Sequence, residues 1–339
     1  MDSEAQLIRR IARAMPSQAG SRRNLRLGIG DDAAIVSPSR TADWILSCDA
    51  FLEGVHFLPG KHPADSVGYK ALTRAASDLA AMGATPRVFL LTLALPSSRT
   101  GAWLDEFLKG MARAARLLGM RLIGGDTTRS PLVAISITVI GESQRGRAIA
   151  RSGAKPGDTL YVSGRLGRAQ LGLMLMQCGL RDRTTIRKLL QPHLYPRIRL
   201  ELGAWLARTH AASAMIDVSD GLSSDLAHLC ASSGVGARLW AARIPCVRVP
   251  ATLPSKLGNL DLDPLQMALH GGEDYELLFS ASPRKAALLR QAPGFGEITA
   301  IGEITRDKRL LLVSPDGGAK RLEARGWDPF RRPHPKPPR

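Results

Sequence analysis

Val133, Ile135, Ile137 and Val139 alternate with Ala134, Ser136 and Thr138 across residues 132–140. That period of two reads as a β-strand with one apolar face. Such a face has to be covered by another layer, and the cover is close by. Residues 66–82 carry Val67, Leu72, Leu79 and Met82 at helical positions and stop at Gly83; residues 103–118 place Phe107, Leu108, Met111, Ala115 and Leu118 on one helical face. Residues 88–95 add an apolar strand. The order is βαβ-like without a strict parallel repeat, which predicts an α/β chain of the α+β kind.

A length of 339 residues accommodates two domains. Residues 1–15 read as an amphipathic helix, 25–27 as a strand, and 43–47 as a second strand ending at Cys48-Asp49. Residues 121–123 run into Gly124-Gly125-Asp126-Thr127-Thr128, expected as a loop whose backbone amides can approach phosphate. The basic, turn-rich stretch 145–158 marks a domain boundary, giving an N-terminal α/β domain at 1–150 and a C-terminal α/β domain at 151–330. In the second domain 159–163 and 214–219 read as strands, and glycine loop 164–167 opens a helix through Gln177. Residues 181–196 read as a charged, irregular surface segment, and 298–304 and 310–313 as closing strands. The proline- and arginine-rich end, 331–339, reads as a disordered basic tail.

The net charge of +17 raises the question of nucleic acid. The arginines are spread along the whole chain and cluster only in the tail, so phosphorylated small ligands account for the charge better than specific nucleic-acid binding. Cys48, Cys178, Cys230 and Cys246 include no CxxC pair and read as reduced, mostly buried thiols. The most apolar run, 88–95, is too short to span a bilayer, and the charged N-terminus is no signal peptide. A cytoplasmic protein with no membrane partner is expected.

Chemistry concentrates in acids at strand ends and turns. The stretch Gly28-Ile29-Gly30-Asp31-Asp32 precedes a short apolar run; alone it reads first as a solvated turn and only second as a metal edge. Asp49 ends an expected strand, and Asp78 lies in a helix among alanines, where burial is costly without a partner or a metal. Asp126 follows two glycines. Asp217 and Asp220 straddle a strand-to-helix turn with Ser219 between them, a geometry that serves cations and anions together. His56 sits in a glycine-containing loop, Glu273 reads as exposed on a glycine-led loop, and Trp327 is either core or a stacking surface. No P-loop, complete GxGxxG or protein-kinase signature is present. Acids without a P-loop imply divalent cations, Mg²⁺ by chemistry, carrying the charge of a phosphate substrate.

The phrases GIGDDAA, CDAFLEGVHF, SDLAAMGA, LIGGDTT, RSGAKPGD, DVSDGLSSDL and GGEDYELLF, in this order, resemble the thiamine-monophosphate kinase family, a relative of aminoimidazole-ribonucleotide synthetase and selenophosphate synthetase. The resemblance covers residues 4–330. It implies a two-domain fold whose N-terminal domain pairs across a homodimer to form a barrel. It further implies transfer of the γ-phosphoryl group of ATP onto thiamine monophosphate, without a general base, as the last step of thiamine diphosphate synthesis. Carried over by position, Asp32, Ser47, Cys48, Asp49, Asp78, Asp126, Asp217 and Asp220 would hold several Mg²⁺ ions. Gly125, Asp126, Arg151 and Ser219 would meet ATP; His56, Glu273 and Trp327 would meet thiamine monophosphate. Within the pair, Asp31 would support the turn. The chain departs from the family pattern at Cys48, where Thr or Ser is usual, and at Ala75, where Asn is common.

Overall fold

The computed structural model describes residues 10, 13–14, 25–27, 35–36, 41–180, 184–251, 253, 262–292 and 294–328. The GxGDD stretch with Asp31 and Asp32, most of the N-terminal helix and the basic tail lie outside the described residues. Short strands β1 (Leu25–Leu27) and β2 (Ile35–Val36) flank the GxGDD stretch and pair antiparallel.

The first half is a four-stranded sheet covered by two helices. Its elements are β3 (Ala42–Leu52), α1 (Ala64–Ala81), β4 (Thr85–Leu95), α2 (Ala102–Leu118), β5 (Arg121–Arg129) and β6 (Ala134–Gln144), and the strand order is β3-β6-β4-β5. The alternation in β6 does what its pattern dictates: Val133, Ile135, Ile137 and Val139 pack into one core with Phe107, Leu108 and Met111 of α2. Helices α1 and α2 cross closely enough that a Cβ on Gly68 would sit 1.9 Å from the Phe107 carbonyl oxygen, and one on Gly110 1.7 Å from that of Asp65.

Helix α1 is buried nearly all round because it serves both halves of the chain. On one side it lies on the first sheet. On the other, Ala80 and Ala81 join Leu202, Trp205 and Leu206 of α5 (Leu200–Thr209) in a second core. Small residues allow that double contact.

The second half is a seven-stranded mixed sheet, ordered β13-β12-β9-β11-β7-β10-β8. Its strands are β7 (Thr159–Ser163), β8 (Ala214–Val218), β9 (Gly236–Trp240), β10 (Glu276–Ala281), β11 (Ile298–Thr305), β12 (Leu310–Val313) and β13 (Ala319–Arg321). Around it lie α3 (Arg168–Gln177), α4 (Thr184–Leu194), α5, α6 (Leu222–Ser233), α7 (Pro264–His270) and α8 (Ala286–Arg290). Strand β10 is buried along its whole length between β7 and β8.

Several expectations change. Strand β3 does not end at Ser47; its ladder with β6 runs from Ala42 opposite Gln144 to Leu52 opposite Ala134, so Cys48 and Asp49 lie inside it. Polar residues hid this continuation, which the full-length partner strand sustains. The GGDTT segment is not a loop but part of β5, in parallel register with β4 from Leu90 opposite Gly124 to Ala94 opposite Thr128. Residues 184–194, expected as irregular surface, form α4 with Ile186, Leu190 and Leu194 buried. Of the thiols only Cys230 is buried; Cys48 and Cys178 are exposed.

Candidate active site

Helix α1 presents Lys70, Arg74 and Asp78 at successive four-residue steps, hence on one face. That face looks into a cleft of about 380 Å³ bounded on one side by β3 and the turn after it, and on the other by the ends of β8 and β10.

Period-two alternation in β3 sorts its side chains. Ser47 and Asp49 turn toward α1: Ser47 Oγ donates to Asp78 Oδ2 at 2.5 Å, and Arg74 grips Asp49 through Nε (2.5 Å) and Nη2 (3.1 Å). Cys48 contributes to the cleft wall, but its side chain turns to the opposite face, with Sγ 3.4 Å from Ser136 Oγ. The thiol is thereby kept away from the Asp49 and Asp78 carboxylates.

Asp217, at the end of fully buried β8, accepts a hydrogen bond from Ser77 Oγ of α1 at 2.7 Å. Burial first, and the nearby Asp78 charge second, push its carboxyl up to about 7. Burial likewise raises Asp78, with Asp49 adding to the effect and Ser47 opposing it, and burial raises Asp220. Arg151 is exposed and outside the cleft wall, yet its charge lowers all three carboxyls. Closely placed, poorly solvated carboxylates of this kind call for a cation. Among the described residues no three carboxylate, imidazole or thiol groups converge into a closed metal site. The donor set nevertheless fits Mg²⁺, which commonly takes one or two carboxylates and completes its shell with substrate phosphates and water.

The turn after β8 is shaped by Asp225 of α6, which accepts from the backbone amides of Asp220 (3.2 Å) and Gly221 (3.0 Å). Against it lies the loop 271–275. Glu273 N donates to the Ser219 carbonyl at 2.7 Å and Tyr275 N to that of Val218 at 2.9 Å. Glu273 and Tyr275 both have positive φ, 68° and 50°, uncommon for such residues and a sign that the surroundings over-determine the loop. Asp274 between them accepts from the amides of Gly167 (2.5 Å) and Ala169 (3.0 Å) at the start of α3, which pins the loop from behind.

Glu273 is not on an exposed loop. It faces the cleft with its side chain 23% exposed, and Oε2 takes Lys70 Nζ at 2.7 Å and His193 Nδ1 at 3.1 Å. Burial would raise its carboxyl, but Lys70 and His193 together outweigh that and hold it below the usual carboxylate range. His56, in the turn after β3, accepts from Leu52 N at 3.0 Å through Nδ1. Burial and then Arg74 push its imidazole down to about 4, so the ring is neutral with Nε2–H as its remaining donor. Trp327 is 50% exposed at the mouth, held by its backbone N–H donating to the Asp220 carbonyl at 2.9 Å.

The cleft thus brings together Cys48, Asp49, His56, Asp78, Asp217 and Asp220, with Ser219, Glu273 and Trp327 on the same wall. Ser47 joins through Asp78. Gly125 and Asp126 do not line it. Gly125 has a packing reason to be glycine, since at φ 153° its Cβ would fall 1.8 Å from the Leu91 carbonyl oxygen. Asp126 is exposed on β5, with Oδ1 accepting from Thr127 N at 2.9 Å. Sequence reasoning missed Lys70, Arg74, Ser77 and His193. The helical spacing of the first two with Asp78 carried a signal; His193 was legible only through the Ile186, Leu190, Leu194 periodicity of α4.

The two halves match, in order, the family models described as AIR synthase related protein, N-terminal domain (residues 30–143) and C-terminal domain (residues 155–313). The mixed α/β fold is therefore that of an AIR synthase related protein. Within that class the chain is 39% identical over 330 residues to the thiamine-monophosphate kinase of Escherichia coli K12, covering 95% of this chain and 98% of the relative. The crystal structure of thiamine-monophosphate kinase from Stenotrophomonas maltophilia K279a superposes with a TM-score of 0.78 at 37% identity, over 93% of this chain and 96% of that one. AaThiL complexed with AMPPCP and TMP superposes with a TM-score of 0.76 at 31% identity, over 96% and 97% of the two chains. This chain belongs to the thiamine-monophosphate kinase family.

Proposed function

We propose that the protein phosphorylates thiamine monophosphate with ATP, releasing thiamine diphosphate and ADP, by direct in-line transfer of the γ-phosphoryl group. The observation that carries this reading is the joining, in one cleft, of a partly buried acid cluster and the residues Glu273, His56 and Trp327. In support, the related AaThiL structure holds an ATP analogue together with TMP.

The obstacle is charge. Two unit charges about 4 Å apart repel by roughly 4 kcal/mol at an effective dielectric of 20, and two phosphate chains present several such pairs. Asp49, Asp78, Asp217 and Asp220 would hold Mg²⁺, with Asp32 and Asp126 as further carboxylates; bound Mg²⁺ supplies the neutralisation that lets the phosphates approach. Ser47 and Ser77 keep the Asp78 and Asp217 carboxylates oriented. Arg151 supplies positive charge at the same edge and, with Gly125 and Ser219, belongs to the ATP side. Glu273 offers an anion, and Trp327 an aromatic face, to thiamine, whose thiazolium ring is cationic and whose two rings are flat. His56 donates its Nε2–H. No side chain need act as a base, because the acceptor phosphate is already anionic.

Residues 1–150 would form the metal and ATP side and residues 151–330 complete the substrate side. We also propose a cytoplasmic homodimer. In its favour, the face of the first sheet turned away from α1 and α2 leaves Leu46 60% exposed beside a small apolar cluster of Val88, Ile123 and Ile140. Among the described residues no helix is long and apolar enough to cross a membrane. Chromatographic analysis of a mixture of protein, ATP, Mg²⁺ and thiamine monophosphate should find thiamine diphosphate and ADP in equal amounts. ADP and free phosphate without thiamine diphosphate would refute the assignment.

A further inference from the structure

Beside Glu273, on the wall of the same cleft, lie two buried imidazoles that the phosphoryl-transfer chemistry does not use. His62, in the turn before α1, and His193, in the last turn of α4, are 8% and 1% exposed, and their Nε2 atoms are 3.0 Å apart. Two imidazole nitrogens at that distance need one proton between them, and the surroundings decide whose it is. His62 Nδ1 accepts from Leu58 N at 3.0 Å, so the neutral ring carries its proton on Nε2 and donates it to His193. His193 Nε2 is then an acceptor, and its own proton sits on Nδ1, facing Glu273 Oε2 at 3.1 Å.

The alternative fails on proton count. Lys70 Nζ is 3.4 Å from His193 Nδ1; if the ammonium donated there, His193 would have to be protonated at Nε2, and two N–H groups would confront each other across the 3.0 Å gap to His62. Lys70 and His193 are instead two donors converging on one carboxylate oxygen. Burial and the Lys70 charge lower both imidazoles, His62 to about 3, in keeping with neutral rings.

We propose that His62 and His193 are positioning residues: a neutral two-imidazole relay, directed from the Leu58 amide to Glu273, that fixes Glu273 Oε2 and turns Oε1 to the cleft for the cationic ring of the ligand. Both bonds from Lys70 and His193 fall on Oε2, so the second oxygen is the one offered to a ligand. The relay joins three separated segments, the turn at 58–62, α4 and the loop 271–275, and so fixes the wall of the cleft as well as its charge. The ligand assignment rests on the function proposed above; the direction of the relay does not.

Two measurements on the full chain separate these. Nitrogen-15 spectra of the histidine-labelled, ligand-free protein should show His62 protonated at Nε2 and His193 at Nδ1, both neutral between pH 5.5 and 8. Reversed tautomers, or a ring titrating in that range, would overturn the relay whatever the substrate is. In turnover, His62→Gln keeps a donor near the Nε2 position and should leave KM for thiamine monophosphate within twofold. His62→Phe removes it and should raise that KM about tenfold, with kcat and KM for ATP within about twofold. Equal impairment of the two variants, or an unchanged KM in His62→Phe, would reduce the pair to packing. A wild-type protein that binds no thiamine monophosphate would refute the ligand assignment alone, the spectra then deciding the relay.

Discussion

Asp217→Asn is expected to lower kcat roughly a thousandfold while making the metal-free protein more stable at pH 8. The activity loss follows from removing one carboxylate where cation charge must be held: several kcal/mol of transition-state stabilisation, at about 1.4 kcal/mol per tenfold. The stability gain follows from the same carboxylate being uncomfortable without its cation. Burial and Asp78 raise its carboxyl to about 7, against 3.8 for the free group. Folding therefore takes up a proton between about pH 4 and pH 7, and the charged form penalises the folded state above that window. The stability advantage of the metal-free variant over the wild type should be largest at pH 8 and shrink as pH falls toward 5, where the folded Asp217 carboxyl is protonated. The difference isolates Asp217, because Asp274, raised by burial to about 7, and the imidazoles His56, His62 and His193, lowered by burial, titrate in both proteins and act in opposite directions. Denaturant titrations in chelator at several pH values measure this. A variant less stable than wild type at pH 8 would show that Asp217 is held by more than Ser77.

Arg199→Met should destabilise the fold by about 3–5 kcal/mol. Arg199 Nε and Nη2 clamp Glu276 at 2.6 Å each, and Glu276 also accepts from Ser163 Oγ at 2.5 Å. The Glu276 side chain is 5% exposed. Removing the arginine strands a buried carboxylate at the first residue of β10, immediately after the loop that carries Glu273. Glu276→Gln on that background should recover part of the loss, since a neutral amide tolerates burial better than an unpaired charge. Urea unfolding reads both effects, and a loss below about 1 kcal/mol for Arg199→Met would mean that water replaces the guanidinium.

What could be read ahead of the structure divides along physical lines. Elements with a strong apolar period were legible nearly to the residue: β7, α6 and β12 fall where their patterns put them. Where a strand continues only because its partner does, as β3 does through Ser47-Cys48-Asp49 and β5 through Gly124 to Thr128, local chemistry misled, since glycine and aspartate disfavour strands and only the ladder overrides them. The acids of the cleft stood out as polar residues in apolar or turn settings. Their partners did not, because Lys70, Arg74 and His193 resemble ordinary surface residues until α1 is seen buried between two halves of the chain. The direction of the imidazole relay depends on a backbone amide at Leu58 and has no sequence signature.

The most direct test of phosphoryl transfer in this cleft is a single turnover with ATP labelled in the γ-phosphate, excess enzyme, Mg²⁺ and thiamine monophosphate. All of the label should appear as thiamine diphosphate, in its terminal phosphate, with none on the protein at any time during the turnover. Label trapped on the protein would contradict direct transfer, and label released as inorganic phosphate with thiamine monophosphate unchanged would contradict the function itself.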